Sequence, residues 1–306
     1  MKKRNVKRVL ALLAALCVLA GCTSPQSRKG DDLHVIFIGI DGWNATCMDK
    51  ADIPHIRALM DQGCWTTKKR SVLPSSSAMN WCSMFMGVSM EFHGYTTWGS
   101  ATPEIPSIRT NEHGICPSFY SLLRDERPDA EIGCVYEWGT IKQFIDTLSV
   151  NYYEQADMEN KTLLCEKAER YIRESHPTLL SVIFDQVDHV GHADGHDTPA
   201  YYERLHEVDG YVGRIVEAVR EAGMMEQTVF IVSSDHGGID HGHGGITLNE
   251  LEAPFVICGK DIPANGEIME SMMQYDVASV VLRLFGIDQP DFWRGKAPES
   301  IFARKK

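Results

Sequence analysis

Thr228-Val229-Phe230-Ile231-Val232-Ser233-Ser234-Asp235-His236-Gly237-Gly238, followed by His241-Gly242-His243-Gly244-Gly245, is the stretch on which fold and chemistry both turn. Its β-branched and aromatic start reads as a buried strand. Where that strand ends, an acid and an imidazole stand side by side among glycines. Carboxylate and neutral imidazole are ligands for zinc-like divalent ions, and glycine lets the backbone bend close to an ion. A second stretch has the same plan: Leu179-Leu180-Ser181-Val182-Ile183 leads into Phe184-Asp185-Gln186-Val187-Asp188-His189-Val190-Gly191-His192. Seven of the twelve histidines fall between His189 and His243, a concentration that random scatter would not give.

Other segments extend the pattern. His34 to Ile40 is an apolar run ending in Asp41-Gly42 and reads as the first central strand. Glu131 to Tyr136 and Ala253 to Cys258 read as further strands. Helices are expected over Pro54 to Met60 (with Gly63 near the stop), Ala78 to Met86, Pro117 to Arg124, Asn160 to Glu174, Pro199 to Ala222 and Asp276 to Phe285. Leu73-Pro74-Ser75-Ser76-Ser77 reads as a loop. Strands alternating with helices predict an α/β fold, a mostly parallel central sheet with helices on both faces. Ligands of such sheets sit at the carboxyl ends of the strands, so Asp41, Asp188 and the Asp235-His236 pair are expected on one rim.

The remaining composition bounds the function. Residues 1–22 combine a basic start, an apolar core from Val9 to Ala20 and the ending Leu19-Ala20-Gly21-Cys22, as a secretory signal does. That ending resembles a bacterial lipobox, which implies a lipid on Cys22 and an exported protein held at a cell-envelope membrane. A plain signal peptide or a membrane anchor is the alternative, but the apolar stretch is short of the about 20 residues a span needs. Residues 23–32 read as a polar tether and 33–306 as one catalytic domain. Residues 1–22 hold five basic and no acidic residues, so the rest carries 25 basic against 42 acidic, a formal net charge of −17. Such a surface argues against a nucleic-acid polymer as partner. Cys47, Cys64, Cys82, Cys116, Cys134, Cys165 and Cys258 are widely spaced and odd in number, and no disulfide is assigned.

Five separated motifs now resemble, in order, the alkaline phosphatase superfamily, and within it the type I phosphodiesterase/nucleotide pyrophosphatase branch. They are Ile40-Asp41-Gly42, the Pro74 to Gly87 segment with His93-Gly94 after it, Asp188-His189-Val190-Gly191-His192, Ser234-Asp235-His236-Gly237, and Gly242-His243-Gly244-Gly245. The resemblance extends from Ile40 to Lys296. It implies an alkaline phosphatase-like fold and two divalent ions, zinc being the expectation. One ion would be held by Asp41, Asp235, His236 and the nucleophile, the other by Asp188, His192 and His243. Paired ions about 3.5–4 Å apart clamp the attacking and leaving oxygens of an in-line displacement at phosphorus. The family places its nucleophilic hydroxyl three residues before an Asn, which implies Ser77 and Asn80, with Ser75 and Ser76 as competitors. Asn80 would then donate its amide to a phosphoryl oxygen.

The implied activity is hydrolysis of small phosphoric esters, diesters or pyrophosphates, through a phosphoserine. A phosphomonoesterase or phosphotransferase on the same scaffold, and a non-catalytic metal-binding lipoprotein, are the alternatives. Where the branch often reads Thr-Phe-Pro-Asn, this chain has Ser77-Ala78-Met79-Asn80, so the ring that stacks on a nucleobase is missing, and Trp81 reads as core. No Cys/Ser-x-Pro-x-Arg arrangement surrounds Ser77, which lowers the sulfatase reading. Asp185 is expected to orient a ligand. His189, His196 and His241 are expected beside the site or at the surface, His93 in a structural loop, and Lys68-Lys69-Arg70 as a solvated charge run.

Overall fold

Strand β1, His34–Ile40, is apolar at nearly every position because it is covered on both sides, and its alternation sorts two cores. Val35 and Phe37 enter one apolar cluster, while Ile36, Ile38 and Ile40 enter the other. Seven strands join it: β2 Gly63–Arg70, β3 Ile132–Tyr136, β4 Tyr152–Gln155, β5 Leu179–Phe184, β6 Thr228–Ser233, β7 Glu252–Gly259 and β8 Gly266–Glu267. The order across the sheet is β4-β3-β5-β1-β6-β7-β2-β8. From β4 to β6 every pairing is parallel; β7 runs antiparallel to both β6 and β2. This computed structural model describes residues 32–303. The signal segment, nearly all of the tether and Cys22 lie outside the described residues.

Helices cover both faces, as the alternation of segments predicts. On one side lie Ser77–Met86, Phe119–Glu126 and Asp276–Phe285, burying Trp81, Phe85, Phe119, Tyr120 and Val281. On the other lie Pro54–Asp61, Leu163–Ser175 and Pro199–Glu221, burying Ile56, Leu59, Tyr171, Leu205, Val208 and Ile215. The 23-residue Pro199–Glu221 helix is amphipathic, and no helix among the described residues is long and apolar enough to cross a membrane.

Register decides where the functional residues meet. Ile40 pairs with Phe184 and Gly39 with Ser233, so Asp41 and Asp185 leave the sheet side by side, with Ser234-Asp235 next to them. The Asp41 amide donates to the Phe184 carbonyl at 2.8 Å, extending the ladder to the rim.

Two segments differ from expectation. Gly63 does not merely stop a helix; it opens β2, whose polar sequence concealed a strand. Lys68-Lys69-Arg70 is therefore not a solvated run. A register shift between Thr66 and Lys69 turns Lys69 inward, where it is fully buried, while Lys68 stays exposed beside Glu267. The Lys69 ammonium donates to the Ser234 carbonyl at 2.6 Å and to Gln274 Oε1, and burial lowers its pKa to about 7. The second segment, Asp188 to His192, to which no element was assigned, lies on the helix Gln186–Asp194, where a four-residue spacing puts both side chains on one face.

The Pro54–Asp61 helix has no cap of its own from Ile53. Asp209, buried on the long helix, supplies one: its carboxylate accepts from His55 N at 3.0 Å and Ile56 N at 2.8 Å. Asp209→Ala should therefore lower unfolding free energy by about 1–2 kcal/mol, measured by chemical denaturation. An unchanged midpoint would show that this borrowed cap contributes nothing.

Candidate metal and nucleophile centre

The expected ligands come from two strand ends, one helix and one loop, the last carrying His243. Asp41 follows β1, Asp235-His236 follow β6, and Asp188 and His192 project from the helix after β5. Ser77 is the first residue of its helix, so the expected nucleophile sits at a helix N-terminus. Ser77 Oγ lies 3.0 Å from His236 Nε2, which is 3.2 Å from Asp235 Oδ2 and 3.4 Å from Asp41 Oδ1. Asp188 Oδ2 lies 3.1 Å from His192 Nε2, and that nitrogen is 3.1 Å from His243 Nε2. Ligand atoms gather in three overlapping groups: Asp41, Asp235 and His236; Asp188, His236 and His243; and Asp41, Asp185 and Asp188.

The chemistry of this donor set fits divalent cations. Asp41 Oδ1, Asp188 Oδ1 and Asp235 Oδ2 are buried with no hydrogen-bond partner, an arrangement that costs several kcal/mol unless a positive charge meets them. His192, His236 and His243 each set Nδ1 against a backbone carbonyl, of His241 at 2.9 Å, Gly237 at 2.7 Å and Ser75 at 3.1 Å. With Nδ1 donating, each ring turns an Nε2 lone pair inward. Gly42 leaves room for this: its φ is +66°, and a Cβ there would lie 2.5 Å from Asp188 Oδ1.

Electrostatics carry the same strain. Burial, then Asp235 and Asp188, hold Asp41 well above the usual carboxylate range. Burial and Asp188 push Asp235 up to about 7 and Asp185 up to about 8. Burial also opposes ionisation of Asp188, but the His192 contact and the imidazoles of His196, His236 and His243 around it hold it below its ordinary value. His236 and His243 fall to about 4 through burial, whereas the Asp188 contact raises His192 to about 9.

Supporting residues depart from expectation in instructive ways. Asn80 is fully buried, and its amide faces the loop before Ser77: Nδ2 donates to the carbonyls of Ser76, Pro74 and Val72, while Oδ1 accepts from Val72 N at 2.7 Å. These bonds make Asn80 a brace for the turn that presents Ser77. Trp81 is core, yet its indole also donates to Asp41 Oδ2 at 2.8 Å. Ser75 bonds the Gly245 carbonyl at 2.8 Å. Asp185 stands among the carboxylates themselves, its amide donating to Glu137 at 2.7 Å. His196 is buried 3.7 Å from Asp188 Oδ1, with Gly191 and Gly238 leaving space for its ring. His189 is exposed, and His241 Nδ1 meets the His192 carbonyl. His93 ends the short helix Met90–His93, 3.2 Å from Ser83 Oγ. Sequence reading missed Glu137, Trp98 and Trp138. Trp138 and the adjacent Glu137 follow strand β3, the one signal available.

These shifts set a pH dependence. In protein stripped of divalent ions, the folded state keeps protons on Asp41, Asp185 and Asp235 that the unfolded chain has released, so stability is lost as pH rises through about 7 and 8. His192 acts in the same direction; Lys69 opposes it. His236 and His243 contribute fully above about pH 6.5 and lose that share as pH falls toward about 4. The thermal midpoint of chelator-treated protein should therefore fall between about pH 6.5 and 8, and saturating zinc should remove the slope. A flat metal-free profile would show that these carboxylates do not repel one another.

Residues 35–254 match the family model of type I phosphodiesterase / nucleotide pyrophosphatase. The chain is 20% identical over 243 residues to bis(5'-adenosyl)-triphosphatase ENPP4 of Bos taurus, an overlap of 75% of this chain and 52% of the relative. It is 27% identical over 164 residues to 2,3-bisphosphoglycerate-independent phosphoglycerate mutase of Haloarcula marismortui, covering 51% of this chain and 30% of the relative. The match thus spans about half or less of these curated relatives. Among solved structures, murine ectonucleotide pyrophosphatase/phosphodiesterase 5, in an inactive form with AMP, superposes with a TM-score of 0.68 at 15% identity, covering 84% of this chain and 96% of that one. A 2-O GAG sulfatase gives 0.72 at 13% identity, covering 89% and 75%. Those neighbours establish an alkaline phosphatase-like fold. By the extent of the family match, the chain belongs to the type I phosphodiesterase / nucleotide pyrophosphatase family.

Proposed function

We propose that the protein is a metal-dependent hydrolase of small phosphoric esters, diesters or pyrophosphates, working through a phosphoserine on Ser77. The carrying observation is the Ser77 hydroxyl set 3.0 Å from His236 Nε2, inside a cluster whose three carboxylate oxygens lack a protein partner. Asp41, Asp235 and His236 would hold one divalent ion beside Ser77, and Asp188, His192 and His243 a second; zinc suits the donors. When bound, such ions lower the pKa of a coordinated hydroxyl and neutralise charge on attacking and leaving oxygens.

The chain's own residues supply the rest. Asn80 fixes the Val72–Ser76 turn so that Ser77 Oγ points at the cluster. Ser76 gives the Ser77–Met86 helix no side-chain cap, which leaves first-turn amides for phosphoryl oxygens. Ser77 Oγ forms the new bond to phosphorus as the opposite ester bond breaks. The leaving oxygen departs on the Asp188/His192/His243 side and takes up, through solvent, the proton that Ser77 Oγ gives up. Water entering from that side then breaks the serine–phosphorus ester and regenerates the hydroxyl.

Charge favours the diester. Among the described residues no Lys or Arg lines the cavity at Ser77, Asp185 and Asp188, and a monoester brings one more negative charge than a diester. The names of the relatives fit phosphoanhydride or phosphodiester chemistry, and the murine neighbour binds AMP. Similarity to phosphoglycerate mutases supports the second reading, a phosphomonoesterase or phosphotransferase. A lipid on Cys22 would hold the enzyme at an envelope membrane.

Bis(p-nitrophenyl) phosphate should be cleaved in preference to p-nitrophenyl phosphate; the reverse order would favour the second reading. Ser77→Ala should lower turnover roughly a thousandfold or more while the far-UV spectrum is retained. Activity surviving in that variant would move the nucleophile elsewhere. Elemental analysis should give about two divalent ions per chain, the count that a paired-ion site demands.

A further inference from the structure

A second cavity, of about 790 Å³, opens on the same rim of the sheet, beyond the ends of β3 and β4. It adjoins the cavity at Ser77. His189 lines both, and at two points neighbouring residues divide between them: Glu137 and Gln186 line this cavity, Trp138 and Asp185 the other. Its floor is built of polar side chains withdrawn from water. Glu137 and Gln186 are 2% and 4% exposed. Gln186 Nε2 donates to Glu137 Oε1 at 2.5 Å and to the Lys161 carbonyl at 2.9 Å, while Gln186 Oε1 accepts from Arg204 Nη1 at 2.8 Å. Glu137 Oε2 accepts from the Asp185 amide at 2.7 Å. Arg204 Nε is buried with no hydrogen-bond partner. The chemistry proposed at Ser77 uses none of these groups.

We infer that this second cavity binds a polyhydroxylated, sugar-like ring carried by the phosphoryl group that Ser77 attacks. This rests on the reading of the centre as a phosphoryl site. An orphaned donor beside a carboxylate with lone pairs to spare calls for a ligand that both accepts and donates. Charge argues against an ionic one. Arg204 Nη1 lies 3.1 Å from Glu207 Oε2 and Lys161 Nζ 3.6 Å from the same oxygen, so both cations are already matched. Asp157 and Glu159 add exposed acid at the mouth, where an anion meets like charge, and the guanidinium on the floor repels an ammonium group. Among the described residues no Phe, Tyr or Trp lines the cavity, so a flat aromatic ring finds no stacking face. Hydroxyls satisfy both demands: one accepts from Arg204 Nε, another donates to Glu137, and the ring carbons meet Ala156 and Val190. The volume falls within the range of small-ligand sites, about 300–1,000 Å³.

Phosphonates that differ only in the group they carry test this without regard to which ester leaves. Zinc-loaded protein would be titrated by calorimetry with methylphosphonate, hexylphosphonate, 6-phosphonohexanoate and the phosphonate isostere of glucose 6-phosphate. The sugar compound should bind on the order of tenfold more tightly than methylphosphonate, the effect of one or two well-made hydrogen bonds. Arg204→Lys keeps the charge but removes the Nε donor, and should erase that ratio. Glu159→Trp fills the cavity from an exposed position and should do the same. Both variants should leave methylphosphonate affinity unchanged; if Arg204→Lys does not fold, Glu159→Trp decides alone. A wild-type ratio near one, equal or tighter binding of hexylphosphonate or 6-phosphonohexanoate, or a ratio that survives in either folded variant would overturn the inference while the phosphoryl site stands. Failure of all four to bind would overturn the phosphoryl reading, and the inference with it.

Discussion

Mutual repulsion among Asp41, Asp185, Asp188 and Asp235 is the constraint around which the rest of the structure is arranged. All four leave the carboxyl rim of one sheet, and three of their oxygens are buried without a hydrogen-bond partner. In a low-dielectric interior, like charges this close cannot all remain ionised unless positive charge joins them. Burial first, and then the neighbouring carboxylates, hold Asp41, Asp185 and Asp235 above their ordinary values.

The scaffold holds the carboxylates against their repulsion by tying the rim together from behind. Trp43 N donates to Ser234 Oγ, Ser71 Oγ to the Asp235 carbonyl and Tyr201 to the Gly42 carbonyl. Lys69, turned inward at the β2 register shift, adds a buried cation near Asp235 and grips the Ser234 carbonyl. Imidazoles are locked by backbone carbonyls in the tautomer that turns Nε2 toward the acids. Such preorganisation lets a site act on charge as it develops, with little left to rearrange during reaction. The same cavity sets the stacked rings of Trp98 and Trp138 beside the acids and imidazoles.

Much of this was legible in the order of residues, and the exceptions have a common cause. Apolar runs such as His34–Ile40 and Thr228–Ser233 announce themselves because strands covered on both faces must be apolar throughout. Asp and His beside glycine at the ends of such runs mark a rim, since connection geometry places strand ends together. Local sequence therefore determined the α/β class and marked Asp41, Asp188 and Asp235-His236, and the family resemblance added Ser77, His192 and His243 as candidates. It could not place β2, whose Thr and Lys residues read as surface, nor reveal that Lys69 is interior, because a register shift is a property of two strands and not of one. It could not show that the Asn80 amide would be taken up by the loop it supports. Nor could it join Trp98 to Trp138, forty positions apart, beside Ser77. Composition and periodicity report which residues a segment can bury; only the folded chain decides which distant side chains share the space that remains.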